Sequence, residues 1–186
     1  MIRYSEFKYP YTYFHLNFDM NIFPQFKILD WNFLCHNLNH CQKTWADLEI
    51  HALVMMDTHV HLLFKILNQN ENFFTSHFVE LMGQKAPSDI LVEPLKNYSQ
   101  YLNTYKYIYR NPLEAGLCWQ CETYPYSSLS YLIGQTPFAS IHVVDKMNLI
   151  QNPQRILEWL NSKKDYKSSR LNQLLNVSRQ ENSFLM

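Results

Sequence analysis

The chain has 186 residues, enough for one compact domain with a short extension and too few for two full domains. Its 47% hydrophobic and 17% charged residues describe a globular protein, and 16 basic against 16 acidic side chains exclude a globally electropositive nucleic-acid binder, so any such contact has to come from a local patch. The N-terminal stretch lacks the apolar core of a signal peptide and no apolar run reaches membrane-spanning length, so a cytoplasmic protein with no membrane partner and four free cysteine thiols is expected.

Tyr11 to Phe18 is rich in aromatics and bounded by Pro10 and an Asp-Met-Asn break, which predicts a first strand. Phe26, Leu29, Phe33, Leu34 and Leu38 then recur at helical spacing over 26–41. From Leu48 to Ile66 two apolar runs meet at Asp57-Thr58, predicting two antiparallel strands joined there, central in their sheet and apolar on both faces. A short helix is expected over 73–82 and a loop over 83–88.

Leu95 to Arg110 carries the strongest later helical pattern. Asn111-Pro112-Leu113-Glu114 reads as a fresh single turn, with Asn111 as cap, Pro112 at the first helical position and Gly116 as terminator. A short helix starting at Ser127 or Ser128 closes at Gly134, another runs from Asn152-Pro153 to about Ser162, and the tail beyond is polar. The basic run from Arg155 to Arg170 fits a solvated helix face.

Two constellations are candidates for chemistry, set beside the plainer readings of ordinary strand histidines and a surface tyrosine. His59 and His61 share one face of their strand, about 6.5–7 Å apart at Cα, close enough to ligate one divalent ion. On the tyrosine-rich helix 97–111, a rotation of about 100° per residue groups Tyr98, Tyr101, Leu102, Tyr105 and Tyr109 into a buried stripe with Ile108 at its edge. Tyr107 falls on the opposite side with Asn103, Thr104, Arg110 and Asn111, where the core does not need it. His51 and His15 read as structural strand residues and His77 as part of an amphipathic helix. Cys118 and Cys121 form a lone C-x-x-C, so a zinc-stabilised protein is a distant alternative to inert thiols.

Taken together, the segment from His51 to Phe64, the segment from Tyr105 to Leu117 and the Tyr-Pro-Tyr-Ser-Ser string at 124–128 resemble the REP-associated tyrosine transposases, within the single-tyrosine HUH nuclease group. The resemblance spans roughly Tyr11 to Gly134. It implies an α+β fold with a ferredoxin-like antiparallel sheet and helices packed on one face, divided as a catalytic domain over 1–134 and a C-terminal helical extension with a polar tail over 135–186. It further implies Tyr107 as nucleophile, His59, His61 and Asn111 as ligands of Mg²⁺ or Mn²⁺, and single-stranded or hairpin DNA as partner, and it admits a homodimer. Lys106 and Arg110, the cations beside the tyrosine, become the candidate DNA-binding residues. The expected reaction is endonuclease and strand-transferase chemistry through a 5′-phosphotyrosine. The alternative is a DNA-binding protein that keeps the fold without cleaving. The chain departs from the family pattern at Met56-Asp57-Thr58-His59, at Glu114, where an arginine is usual, and in a short interval between the two motifs.

Overall fold

The computed structural model describes residues 7, 9–19, 31–83, 90–135 and 140–162. Strand β1 (Tyr13–Asp19) is followed by helix α1 (Trp31–Thr44), the hairpin β2 (Glu49–Met55) and β3 (His59–Lys65), helix α2 (Glu71–Leu81), the short strand β4 (Leu91–Pro94) and the long helix α3 (Tyr98–Glu114). Two small helices, α4 (Leu129–Leu132) and α5 (Pro153–Asn161), complete it. The four strands pair antiparallel in the order β2-β3-β1-β4. This is the strand order of a ferredoxin-like β-α-β-β-α-β unit, and the α+β class expected from the sequence is the one observed. No helix of the described residues is long and apolar enough to cross a membrane.

The hydrophobic pattern separates two layers. Even-numbered residues of β1 and β3 (Phe14, Leu16 and Phe18; Val60, Leu62 and Phe64) pack with Leu34 and Leu38 of α1 and Phe74 and Phe78 of α2. On the opposite face Tyr13, Ala52, Val54 and Leu63 pack with Tyr101, Leu102, Tyr105, Ile108 and Tyr109 of α3 and with Ile156 and Leu160 of α5. The two helices inside the ferredoxin-like unit do share one face. Helices α3 and α5 close the other face, so the sheet is buried on both sides. Residues 147–160 contribute to the same core as the tyrosine helix.

Two further expectations change. Strand β2 lies at the sheet edge instead of its centre. It reads as a central strand because its outer edge is covered: Met55 N donates to Tyr126 O, Ser128 N to Leu53 O and Val144 N to Ile50 O. The Tyr-Pro-Tyr-Ser-Ser string is part of that cover, with the Tyr124 hydroxyl donating to Met55 O at 2.9 Å and Ser128 Oγ accepting from Leu53 N at 2.9 Å. The helix 26–41 is observed as α1, with its expected first residues outside the described set, as is most of the loop 83–88. Finally, α3 does not stop at Arg110. It runs through Pro112 to Glu114 and ends in a Schellman arrangement, Leu117 N donating to Pro112 O and Gly116 N to Leu113 O, with Gly116 at φ 73°.

Beneath α3, His51 occupies the irregularity between Ile50 and Ala52 and is fully buried. Its Nδ1 is 2.7 Å from the Tyr101 hydroxyl, while Nε2 lies 3.5 Å from Glu49 Oε2, near enough for charge attraction and outside good hydrogen-bond geometry. Burial pushes the His51 pKa down against the opposing pull of Glu49, whose own carboxyl is held at about 2, chiefly by this imidazole. A depressed histidine stabilises the fold above its unfolded pKa, about 6.5, and that stability is lost as the pH falls and the unfolded chain takes up the proton. The thermal midpoint is therefore expected to fall on going from about pH 7 to about pH 5. His51→Phe should flatten that dependence by at most one proton's share, about 1.4 kcal/mol per pH unit, as measured by chemical denaturation across this range.

Candidate active site

Strand alternation builds the site. Odd-numbered residues of β1 and β3 face α3, and the register sets Asn17 opposite His61 and Asp19 opposite His59, with His15 one pair further along, opposite Leu63. Along this face the lining changes from aromatic, at Tyr13 under Tyr101, to imidazole and amide at His15, Asn17, His59 and His61. The polar end lies under the last turns of α3.

There Asn111 Nδ2 is 2.9 Å from His61 Nε2. The His59 and His61 rings are 4.6 Å apart at 82°, and the Tyr107 ring stands 5.3 Å from His61 at 73°. Tyr107 is 37% exposed, whereas its helix neighbours Tyr101, Tyr105 and Tyr109 are each 1% exposed. The structure thus brings together His59, His61, Asn111 and Tyr107, the four residues selected from the sequence for chemistry. Asn111 is helical, Pro112 notwithstanding, so its side chain points one turn beyond Tyr107 toward the same histidines.

One residue of this cluster reads from the sequence as structural only. His15, 8% exposed, places Nε2 3.1 Å from His61 Nδ1, with the rings 5.2 Å apart and nearly parallel, and its ring also meets Tyr107 at 6.1 Å. A lone histidine in an aromatic strand carries no local signal; only the β1–β3 register reveals its place.

The two cations fare differently. Lys106 donates to Ser162 Oγ at 2.9 Å and sits over the Trp159 ring at 5.2 Å. Arg110, expected on a DNA-facing surface, is instead buried at 7% exposure. Its Nη1 donates to the Leu160 carbonyl at 2.8 Å and to the Ser162 carbonyl, and Nε pairs with Glu114 at 3.1 Å. The helical wheel puts Arg110 on the polar flank correctly, but α5 docks over that flank.

The electrostatics favour neutral imidazoles. Burial lowers His15 to about 4, and burial with its neighbours His15 and His59 lowers His61 to about 3; burial also lowers His59, with Asp19 opposing. All three keep ring lone pairs at neutral pH. Thr58 Oγ1 lies 2.8 Å from His59 Nδ1, which occupies that nitrogen and leaves Nε2 as the ring's remaining donor atom.

Among the described residues no three His, Cys, Asp or Glu side chains group as a metal cluster. A cation here would have to be held by two imidazoles and amide oxygens, a donor set that suits a hard divalent ion with positions left open. Asn111 can turn its amide to present Oδ1 where Nδ2 now lies. Asn17, directly across from His61, has a buried Oδ1 with no hydrogen-bond partner, an acceptor that such an ion or its water would satisfy. The residues fit the ion. Cys118 and Cys121 are free thiols, and burial pushes Cys121 up to about 12, so inert thiols remain the simplest reading of that pair.

This chain shares its fold with a known transposase. Over 72% of this chain and 93% of the other, it is similar to the structure of a REP-associated tyrosine transposase bound to a REP hairpin, with 16% sequence identity and a TM-score of 0.50. No protein-family profile and no curated protein matches the chain. The likeness covers the architecture, and the residues must carry the chemistry.

The burial of Arg110 has a measurable consequence. Arg110→Ala strips a buried donor from two carbonyls and breaks the ion pair to Glu114, so a loss of about 2–4 kcal/mol is expected in urea denaturation. An exposed phosphate contact at this position would instead leave stability within about 0.5 kcal/mol.

Proposed function

We propose that the chain is a metal-dependent single-stranded DNA endonuclease and strand transferase that forms a 5′-phosphotyrosine at Tyr107. The observation that carries this reading is the convergence of Tyr107, His61 and Asn111, with Asn111 hydrogen-bonded to His61 and the exposed phenol ring packed beside that imidazole. The fold shared with a transposase solved on a REP hairpin supports hairpin-forming DNA as the substrate class.

His59, His61 and the Asn111 amide oxygen would hold Mg²⁺ or Mn²⁺, which when bound supplies Lewis-acid polarisation of the scissile phosphate. The chain's own contribution is positional. The buried tyrosine stripe locks the rotation of α3, so Tyr107 is presented from a fixed helix to the strand face that carries the histidines. Its phenolic oxygen attacks phosphorus in line, the new Tyr–O–P bond forms as the P–O3′ bond breaks, and the 3′ oxygen leaves with a proton as a free hydroxyl. The phenolic proton passes to solvent, to which Tyr107 is open. Attack by another 3′-hydroxyl reverses the step and joins strands. The tyrosyl ester conserves the phosphodiester energy, so no nucleotide cofactor is needed.

Incubation of the full chain with Mn²⁺ and labelled single-stranded hairpin oligonucleotides is expected to give a covalent adduct on a denaturing gel, absent in Tyr107→Phe and reduced at least about 100-fold in His61→Ala. An adduct that persists in Tyr107→Phe overturns the nucleophile. Hairpin binding in a mobility-shift assay, with no adduct in the wild type on the same oligonucleotides, would favour the binding-only alternative.

A further inference from the structure

We infer that His15 is a positioning residue that holds His61 in the tautomer protonated at Nδ1, turning its Nε2 lone pair toward Asn111 and the divalent-cation site. The inference rests on the proposed metal-dependent reading and adds a residue that the sequence left with a structural role.

The geometry has three parts. His15 Nε2 and His61 Nδ1 are 3.1 Å apart in nearly parallel rings, so one nitrogen carries the shared proton and the other accepts it. On the far side of His15, Nδ1 lies 3.9 Å from Glu93 Oε2. A carboxylate there favours a proton on Nδ1, which leaves Nε2 of His15 as the acceptor and puts the proton of the shared bond on His61 Nδ1. On the far side of His61, Asn111 Nδ2 donates to Nε2 at 2.9 Å, which requires Nε2 to be unprotonated. The Asn111 contact sets the tautomer, and the weaker attraction of Glu93, beyond hydrogen-bond distance, acts in the same direction.

Burial makes this arrangement selective. His15 is 8% exposed and His61 fully buried, so water does not compete for the bond between them. His15 also lies on the opposite side of His61 from Nε2, which rules it out as a ligand at the same ion and makes it a support for the ligand. Imidazoles that bind metals commonly donate their second N–H to a carboxylate or carbonyl, and removing such a partner typically costs about 10–100-fold in metal affinity. Here a second imidazole takes that place, with the Glu93 carboxylate 3.9 Å beyond it.

Two measurements on the full chain test the inference. In the metal-free protein, long-range proton–nitrogen correlation of the histidine rings is expected to show His61 protonated at Nδ1; protonation at Nε2 overturns the proposal, whatever the metal does. Calorimetric titration with Mn²⁺ is expected to show binding by the wild type and about 10–100-fold weaker binding by His15→Leu. His15→Gln, whose amide oxygen can accept from His61 Nδ1, should recover most of that loss. Equal Mn²⁺ affinity in wild type and His15→Leu, or equal losses in the Leu and Gln variants, overturns the positioning role while leaving the metal site standing. No Mn²⁺ binding by the wild type overturns the metal-dependent reading, and this inference with it. The ring-nitrogen measurement needs no variant, so a His15→Leu chain that fails to fold does not remove the test.

Discussion

The site depends on the register between β1 and β3. Because side chains alternate with period two, pairing Asn17 with His61 and Asp19 with His59 sends every odd-numbered residue toward α3 and every even-numbered one toward α1 and α2. A slip of one residue in β1 would drive His15 and Asn17 into the apolar layer and turn Leu16 and Phe18 toward Tyr107. The even-numbered set prevents this. Phe14, Leu16, Phe18, Val60, Leu62 and Phe64 are all at most 4% exposed, and none of them could be turned to the polar end of the other face without losing that burial.

A second constraint acts through α3. Tyr101, Leu102, Tyr105, Ile108 and Tyr109 are all buried against the sheet, which fixes both the height of the helix and its rotation. Once those residues are inside, Tyr107 has to face the edge of the core and Asn111, one turn on, follows it. The layer under the helix is therefore graded: aromatic where it only has to pack, imidazole and amide where it meets Tyr107. His15 sits at the boundary, buried like the core and polar like the site. The same burial keeps the imidazoles neutral and their lone pairs available.

This division explains what was legible in the sequence. The β2–β3 hairpin, the buried tyrosine stripe, the exposure of Tyr107 and the helix after Asn152 are local and periodic, and the chain announces them through spacing and caps. His15 was not legible, because its role exists only through its cross-strand neighbours. Arg110 misled for a related reason: its angular position on the helix was right, but the wheel carries no knowledge of α5. Strand β4 escaped because Leu91–Pro94 is too short to show alternation and ends in proline. At Pro112 the expected helix break does not occur, since a proline within a packed helix can be tolerated when neighbouring contacts hold the turn, as Arg110 and the Schellman closure at Gly116 do here.

The C-terminal segment belongs to this same logic. Arg110 binds the carbonyls of Leu160 and Ser162 at the end of α5, Asn161 accepts from Cys121 N at 2.9 Å, and its amide donates to Glu122 at 2.9 Å, so α5 is tied both to α3 and to the segment that follows it. Ile156 and Leu160 add apolar burial against α3. An arginine in such a position is costly to bury unless every donor finds an acceptor, and the carbonyls at the end of a helix, which have no intrahelical partners, are well suited to it. The cation expected at a DNA-facing surface thus serves to tie α5 to the flank of α3. With the sheet beneath it and α5 against its flank, the helix that carries Tyr107 has little freedom to rotate, which keeps the phenol aimed at a fixed pair of histidines.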